Sequence, residues 1–168
     1  MLLFFDIILL SGRMMLLLSV KSIKDNKECL EEYFYLSSVE WGNSYKMDNF
    51  NEILNKRVSD VLNGVNDNII LVLGLFNDDK LLGFISLFKY DHNSDYTPWY
   101  ATMYVKKEYR GNNYSKILND ALIDESKKLG YDKIYLKTEL VNYYEKFGFK
   151  YIKNLNEKEK LYYIDLKV

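Results

Sequence analysis

The sequence predicts an α/β domain with a mixed, mostly antiparallel central sheet of about six to seven strands and flanking helices. Two apolar runs within residues 69–88 are separated by turn residues, which is the pattern of an antiparallel β-hairpin. Residues 101–138 show the pattern strand, turn, helix and strand, and such a crossover helix makes its two strands parallel. Residues 149–152 and 161–166 add two further strand patterns, which we expect to pair in antiparallel fashion.

The first 13 residues are set apart as an apolar appendage without an assigned role, which leaves residues 14–168 as a single domain. Residues 2–10 are apolar apart from Asp6, but no basic segment leads them, unlike in a secretory signal. The run is also shorter than the about 20 apolar residues that span a bilayer. We therefore expect a cytoplasmic protein that does not bind membranes, with its first strand from Leu16 to Ile23.

Two helices are predicted to follow the first strand. Asp25 is placed to cap a helix that runs to about Leu36. A second helix over residues 50–62 has apolar side chains at helical spacing, and Gly64 can end it in a left-handed turn. The loop between the two helices contains Trp41, which either lines a cleft or closes the edge of the core.

The predicted hairpin joins residues 69–76 and 81–88 through a four-residue loop. Further along, a helix that begins at Tyr114 and reaches Leu129 is the best-defined element, because lysines near its C-terminus match the helix dipole and Gly130 can form a left-handed cap. The apolar face of this helix comprises Tyr114, Ile117, Leu118, Ala121, Leu122 and Leu129. A short helical stretch is expected from Val141 to Phe147.

The turn from Arg110 to Ser115 joins a strand to the N-terminus of this helix. Unpaired N–H groups and the positive end of the helix dipole favour an anion there. Arg110 can add a charge-assisted hydrogen bond. The same residues are also typical of an ordinary surface loop. An anionic cofactor is the functional hypothesis.

The composition argues against several other classes of protein. The formal net charge is −1, from 23 basic and 24 acidic residues, so nucleic-acid binding is not expected. The single Cys29 cannot form an intramolecular disulfide, and the single His92 leaves little with which to build a metal site. Neither the P-loop pattern nor the dinucleotide-binding glycine pattern is present, which argues against a nucleotide-binding domain.

The order of elements, together with the run Asn-Tyr-Tyr-Glu-Lys-Phe-Gly-Phe at 142–149, resembles the GNAT superfamily of acyl-CoA N-acyltransferases over residues 16–168. The family pattern for the diphosphate turn is Arg or Gln, two residues, Gly, one residue, and Gly or Ala. Asn113 and Ser115 stand at its fourth and sixth positions, and both are residue types that such a turn tolerates. Residues 138–141 replace the Asn and Ala usually found before the tyrosine signature, which affects the pantetheine contacts expected from that loop.

The resemblance implies a GNAT fold with a splayed parallel strand pair, and transfer of an acetyl group from acetyl-CoA to a primary amine. It implies that the N–H of Val105 faces the thioester oxygen and that Tyr144 protonates the leaving thiolate. Packing of Tyr144 in a tyrosine-rich core is the alternative. A homodimer is expected from the resemblance alone. The residues implied to bind the cofactor are Met103, Val105, Arg110, Gly111, Asn112, Asn113, Tyr114, Ser115, Lys116, Thr138 and Asn142.

The sequence does not fix the general base. Glu139 is ranked first, because it follows the strand expected to flank the cofactor. The other candidates are Glu40, His92 and Asp95, and each of the four is also typical of a solvated loop.

The acceptor is expected to be a small-molecule amine. The acidic residues near these loops favour a cationic one, against which Trp41, Trp99 and Tyr100 would form an aromatic wall. The alternative function is a catalytically degenerate module that binds or senses acyl-CoA. The departures at Asn113 and Ser115 from the family pattern leave that alternative open.

Overall fold

The computed structural model describes residues 5–11, 14–91 and 95–167 of the chain. Its helices are α1 Lys27–Trp41, α2 Phe50–Leu62 and α3 Tyr114–Lys128. Its strands are β1 Phe5–Ser11, β2 Met14–Ser22, β3 Ile69–Asn77, β4 Lys80–Phe88, β5 Trp99–Val105, β6 Lys133–Thr138, β7 Lys150–Asn154 and β8 Lys160–Asp165. The strands form one sheet in the order β1-β2-β3-β4-β5-β6-β8-β7. The predicted fold class is confirmed.

One neighbouring pair of strands in this sheet is parallel, and it separates soon after it begins. β5 and β6 are paired at Trp99 and Tyr135, and the Tyr135 N–H donates to the Pro98 carbonyl at 2.9 Å. The other neighbouring strands pair in antiparallel fashion. The sheet is therefore mixed and splayed between β5 and β6, as the resemblance implied.

Residues 5–11 form an edge strand. β1 pairs with β2 in antiparallel register from Phe5 opposite Val20 to Ser11 opposite Met14. The segment that we set apart in the sequence thus extends the sheet by one strand, and the strand after it begins at Met14.

Hydrophobic side chains cover both faces of the sheet. On one face α3 contributes Leu118 and Leu122, both fully buried. On the other face α1 and α2 contribute Leu30, Tyr33 and Val58. β3 and β4 are therefore buried on both sides, which explains why their sequences are continuously apolar rather than alternating.

The first helix differs from its prediction at both ends. Its N-cap is Asn26 rather than Asp25, and the Asn26 side chain accepts a hydrogen bond from the Cys29 N–H at 3.0 Å. The helix continues beyond Leu36 to Trp41, so Trp41 lies at a helix end and not in a loop.

Three further local predictions were wrong. The hairpin turn has two residues rather than four, because Asn77 pairs with Lys80 and Asp78 adopts a positive φ of 52°. In the segment Val141–Phe147 the helical part is a 3-10 turn at Glu145–Phe147. Leu129 lies outside the apolar face of α3 and is 52% exposed, because the helix has already ended. The bounds of α2 match their prediction, and α3 begins at Tyr114 as predicted.

A glycine on β4 permits close approach of β5. A Cβ at Gly83 would lie 2.5 Å from the Tyr104 carbonyl oxygen and 3.1 Å from the Val105 Cα, and these backbone atoms cannot move without shifting β5. We expect Gly83→Ala to lower the free energy of unfolding by about 2 kcal/mol in a urea titration. Gly42→Ala is the control, since its Cβ meets one backbone oxygen, of Ser38, at 3.2 Å. Equal losses for the two variants would contradict the prediction.

Candidate active site

A cleft of about 1050 Å³ opens where β5 and β6 diverge. The two strands run in the same direction, so the segments that follow them lie at the same edge of the sheet. The Arg110–Ser115 turn and the Thr138–Leu140 segment both contribute to its lining, as do Trp41 at the end of α1 and Tyr144. A cleft beyond the C-terminal ends of strands is a common position for a ligand site.

One strand that lines the cleft carries a β-bulge. Ser86 on β4 pairs with Ala101, whereas Phe84 pairs with Tyr104, so β5 has one residue more than β4 in this interval. Thr102 lies in the bulge with a φ of 42°, a left-handed conformation that β-branched residues rarely adopt.

The bulge decides which backbone amides face the cleft. The Lys106 N–H donates to the Leu82 carbonyl of β4 at 2.9 Å, so strand alternation turns the N–H groups of Met103 and Val105 away from β4. Before the bulge the even-numbered residues face β6, because the Pro98 carbonyl accepts from Tyr135. The extra residue therefore turns the amides of Met103 and Val105 towards the gap between β5 and β6.

The turn before α3 presents a series of unpaired donors. Gly111 and Asn113 have φ values of 83° and 62°, and both are left-handed. In the described part of the chain, no acceptor pairs with the five consecutive N–H groups from Gly111 to Ser115. Such a run of amides at a helix N-terminus forms a concave anion site.

Arg110 links this turn to the end of β5. Its Nε donates to the Val105 carbonyl oxygen at 2.9 Å, and its guanidinium lies 5.5 Å from the centre of the Tyr104 ring. Part of the guanidinium is therefore engaged in holding the turn against the strand. Its two Nη atoms find no partner among the residues that the structure describes.

Tyr144 packs in an aromatic cluster at the cleft. Its ring centre lies 5.6 Å from that of Tyr100, 5.9 Å from that of Phe149 and 4.9 Å from that of Tyr143. Burial, followed by the neighbouring Tyr143, raises the pKa of Tyr144 to about 12. The phenol therefore stays protonated at neutral pH and is available as a proton donor.

Trp41, Trp99 and Tyr100 all line the cleft, but Trp99 and Tyr100 do not form one continuous wall, because adjacent strand residues point to opposite faces of the sheet. Trp99 packs with Tyr96 and Tyr135, whereas Tyr100 packs with Tyr144 and Phe149. The Tyr100 hydroxyl is buried and has no hydrogen-bond partner in the described chain. Burial, followed by Tyr144, raises the pKa of Tyr100, so this phenol is neutral as well.

Four carboxylates line the cleft: Glu40, Asp91, Glu139 and Glu159. The Asp91 Oδ2 pairs with the Nζ of Lys137, also in the lining, at 2.8 Å. Our sequence reasoning did not select Asp91 or Glu159. No local signal marks Glu159, because it comes to the cleft through the pairing of β8 with β6.

Of the remaining base candidates, Asp95 does not line the cleft, and His92 lies outside the described residues. Among the described residues, no group of three His, Cys, Asp or Glu side chains could hold a metal ion. None of the helices in these ranges has the length and apolar character needed to cross a membrane.

Comparison with known proteins identifies the family. Residues 28–149, more than half of the chain, match the sequence model of the acetyltransferase (GNAT) family. The chain belongs to the GNAT family. Membership assigns it to the acyl-CoA-dependent N-acetyltransferases. A comparison with curated proteins finds no match.

Solved structures show the same GNAT fold. An aminoglycoside 6′-acetyltransferase type Ii is 20% identical with a TM-score of 0.63, and the alignment covers 89% of this chain and 97% of that one. PaiA N-acetyltransferase from Thermoplasma acidophilum, in complex with coenzyme A, is 22% identical with a TM-score of 0.58 over 88% and 98% of the two chains. An N-acetyltransferase from Staphylococcus aureus Mu50 is 19% identical with a TM-score of 0.62 over 89% and 99%.

Most of the residues predicted for the GNAT site lie together. The ten that line the cleft are Met103, Val105, Arg110, Gly111, Asn113, Tyr114, Ser115, Thr138, Glu139 and Tyr144. Asn112, Lys116 and Asn142 do not line it. The Asn112 side chain instead donates to the Tyr109 carbonyl at 3.0 Å, and Lys116 pairs with Asp120 one helical turn along α3.

The stability of the turn should depend on the left-handed conformation of Asn113. We expect Asn113→Ala to lower the free energy of unfolding by about 1 kcal/mol. The φ at this position is 62°, and residues other than Gly and Asn disfavour such a left-handed conformation. Asn113→Gly should leave the free energy within about 0.5 kcal/mol of wild type. Urea titration of the two variants and the wild type would measure both changes. Equal stability of the two variants would show that the turn does not depend on this conformation.

Proposed function

We propose that this enzyme transfers the acetyl group of acetyl-CoA to a primary amine of a cationic small molecule. The observation that carries the proposal is the row of unpaired N–H groups from Gly111 to Ser115 beside an open strand edge. An anion and an extended amide-bearing chain, joined in one molecule, match these two adjoining surfaces.

The turn would hold the diphosphate of the co-substrate. Five backbone donors and the positive end of the α3 dipole favour two adjacent negative groups. Asn113 supports this fit, because its left-handed backbone is the conformation that glycine would otherwise supply. The Ser115 side chain is small and leaves room for close approach. The Nη atoms of Arg110 add positive charge at the same turn.

The open edge of β5 would hold the pantetheine arm and the thioester. Bound acetyl-CoA supplies an acetyl group activated by its thioester. The N–H of Val105 faces the cleft and can donate to a carbonyl oxygen whose negative charge grows as an amine attacks. The N–H of Met103, two residues earlier and on the same side of the strand, is available to an amide of the pantetheine arm.

Tyr144 would protonate the leaving thiolate. Its phenol has a pKa raised to about 12, so it is in the donor form throughout the neutral range. A carboxylate in the same position would be ionised and could not donate. Tyr100 lies beside it with a buried hydroxyl that has no partner among the described residues, and it keeps this part of the cleft uncharged.

The acceptor class follows from the charge of the cleft lining. Glu40, Glu139 and Glu159 are not paired with a basic side chain in the described structure, whereas Asp91 is held by Lys137. A ligand with ammonium groups would neutralise these carboxylates. Glu139 remains our first choice for the base, because it directly follows β6 and lines the cleft.

Calorimetry with acetyl-CoA tests the co-substrate site. Ser115→Asp places a carboxylate among the amide donors, and we expect it to weaken binding about 30-fold, or about 2 kcal/mol. Asn55→Asp on α2 makes the same change of charge outside the cleft and should bind as the wild type does. Absence of binding by the wild type would refute the proposed function.

Turnover tests the chemistry. Thiol release from acetyl-CoA is followed with polyamines, aminoglycosides and lysine-like amines, and Tyr144→Phe should lower kcat about 100-fold with KM for acetyl-CoA within about threefold. Because the pKa of Tyr144 is raised to about 12, loss of its proton should not lower kcat below about pH 11.

The control for this substitution is Tyr163→Phe on β8, which removes a hydroxyl outside the cleft. A degenerate module that senses acyl-CoA would bind acetyl-CoA without thiol release, and wild type and Tyr144→Phe would then behave alike. That result would support the proposed co-substrate site and refute the proposed catalytic activity.

A further inference from the structure

Three hydroxyl groups from three elements meet beneath the β5 bulge. The three hydroxyls belong to Tyr33 on α1, Ser86 on β4 and Thr102 in the bulge itself. Tyr33 is 1% exposed and Ser86 is fully buried. The Tyr33 hydroxyl lies 3.0 Å from the Thr102 Oγ1 and 3.2 Å from the Ser86 Oγ.

These groups form one continuous chain of hydrogen bonds. The Tyr33 O–H donates to the Ser86 Oγ, and Ser86 donates to the Ala101 carbonyl at 3.2 Å. The Tyr33 and Thr102 hydroxyls share a third hydrogen bond, so none of the three hydroxyls is unpaired. Burial raises the pKa of Tyr33, so its proton remains in place for this role. The Thr102 and Ser86 hydroxyls are also in direct contact.

The chain of hydroxyls lies at the one point of β5 where the backbone is strained. Thr102 has a φ of 42°, and a β-branched side chain strongly disfavours that region unless its surroundings compensate. Two of the three hydrogen bonds hold the strained segment itself, at the Thr102 side chain and at the Ala101 carbonyl. Without these hydrogen bonds a regular strand would be favoured. The N–H groups of Met103 and Val105 would then no longer point towards the gap between β5 and β6.

We propose that Tyr33 is a positioning residue for acyl transfer, which holds Thr102 in the left-handed bulge and so aims the Val105 N–H into the cleft. The inference rests on the proposed function. Tyr33 itself lies on the opposite side of the strand from Tyr144 and does not line the cleft.

A double-mutant cycle tests the proposal. We expect Tyr33→Phe to lower kcat about tenfold with KM for acetyl-CoA within about twofold, because the diphosphate turn is unchanged. Thr102→Gly removes the hydroxyl but accepts a positive φ, so we expect a loss of about threefold. In the Thr102→Gly background, Tyr33→Phe should add little, since glycine no longer needs the hydroxyl to keep the bulge. A loss of about 30-fold in the double variant, the product of the two, would overturn the proposal.

Hydrogen exchange gives a readout that does not need turnover. The amides of Tyr104 and Lys106 face β4, and we expect Tyr33→Phe to speed exchange at Tyr104 about tenfold by loosening the bulge. Tyr35→Phe is the matched control on α1, because its side chain is 49% exposed and lies outside the hydroxyl chain. Unchanged kcat and unchanged exchange in folded Tyr33→Phe would refute the role of Tyr33. A wild type that binds no acetyl-CoA would refute the proposed function instead, and exchange would still decide whether Tyr33 holds the bulge.

Discussion

One extra residue in β5 sets the orientation of every backbone group that this strand turns towards the cleft. On the N-terminal side of Thr102 the even-numbered residues face β6, and on the C-terminal side the odd-numbered residues do so. A shift by one residue exchanges the two faces of a strand. The bulge therefore decides at once that the Val105 N–H enters the cleft and that the Tyr104 ring packs on the side of α1 and α2. The separation of β6 from β5 leaves these groups without a strand partner and makes them available to a ligand.

The cleft combines two electrostatic environments that suit the two substrates of an acetyltransferase. The turn from Gly111 to Ser115 gathers backbone donors at the positive end of α3, which is where an anion is stabilised. Carboxylates from α1, β6 and the approach to β8 line other parts of the same cleft. Between them, Tyr144 remains neutral because burial raises its pKa to about 12. In the proposed function, these environments would bind a negatively charged donor and a positively charged acceptor, with Tyr144 as an uncharged proton donor where sulfur would leave.

The many tyrosines of the chain have distinct roles, and these roles depend on the position of each tyrosine in the sheet. Tyr144 and Tyr100 pack together on the α3 side, with high pKa values caused first by burial. Tyr33 lies on the other side, where its hydroxyl joins β4 and β5. Tyr104 stacks on Phe84 and lies under the Arg110 guanidinium. Composition alone gives no means of separating these roles, because they depend on which face of which strand each ring occupies.

The sequence by itself determined the features that depend on neighbours within a few residues. The bounds of α2, the start of α3, the left-handed Asn113 and the crossover that makes β5 and β6 parallel all follow from periodicity and residue type, and most of the predicted site residues line one cleft. The tertiary structure decided what depends on pairing across the chain. The arrival of Glu159 beside β6 and the hydroxyl chain under Thr102 join segments separated by many residues. Strand register and bulges are set by such distant partners, and no local sequence pattern predicts them.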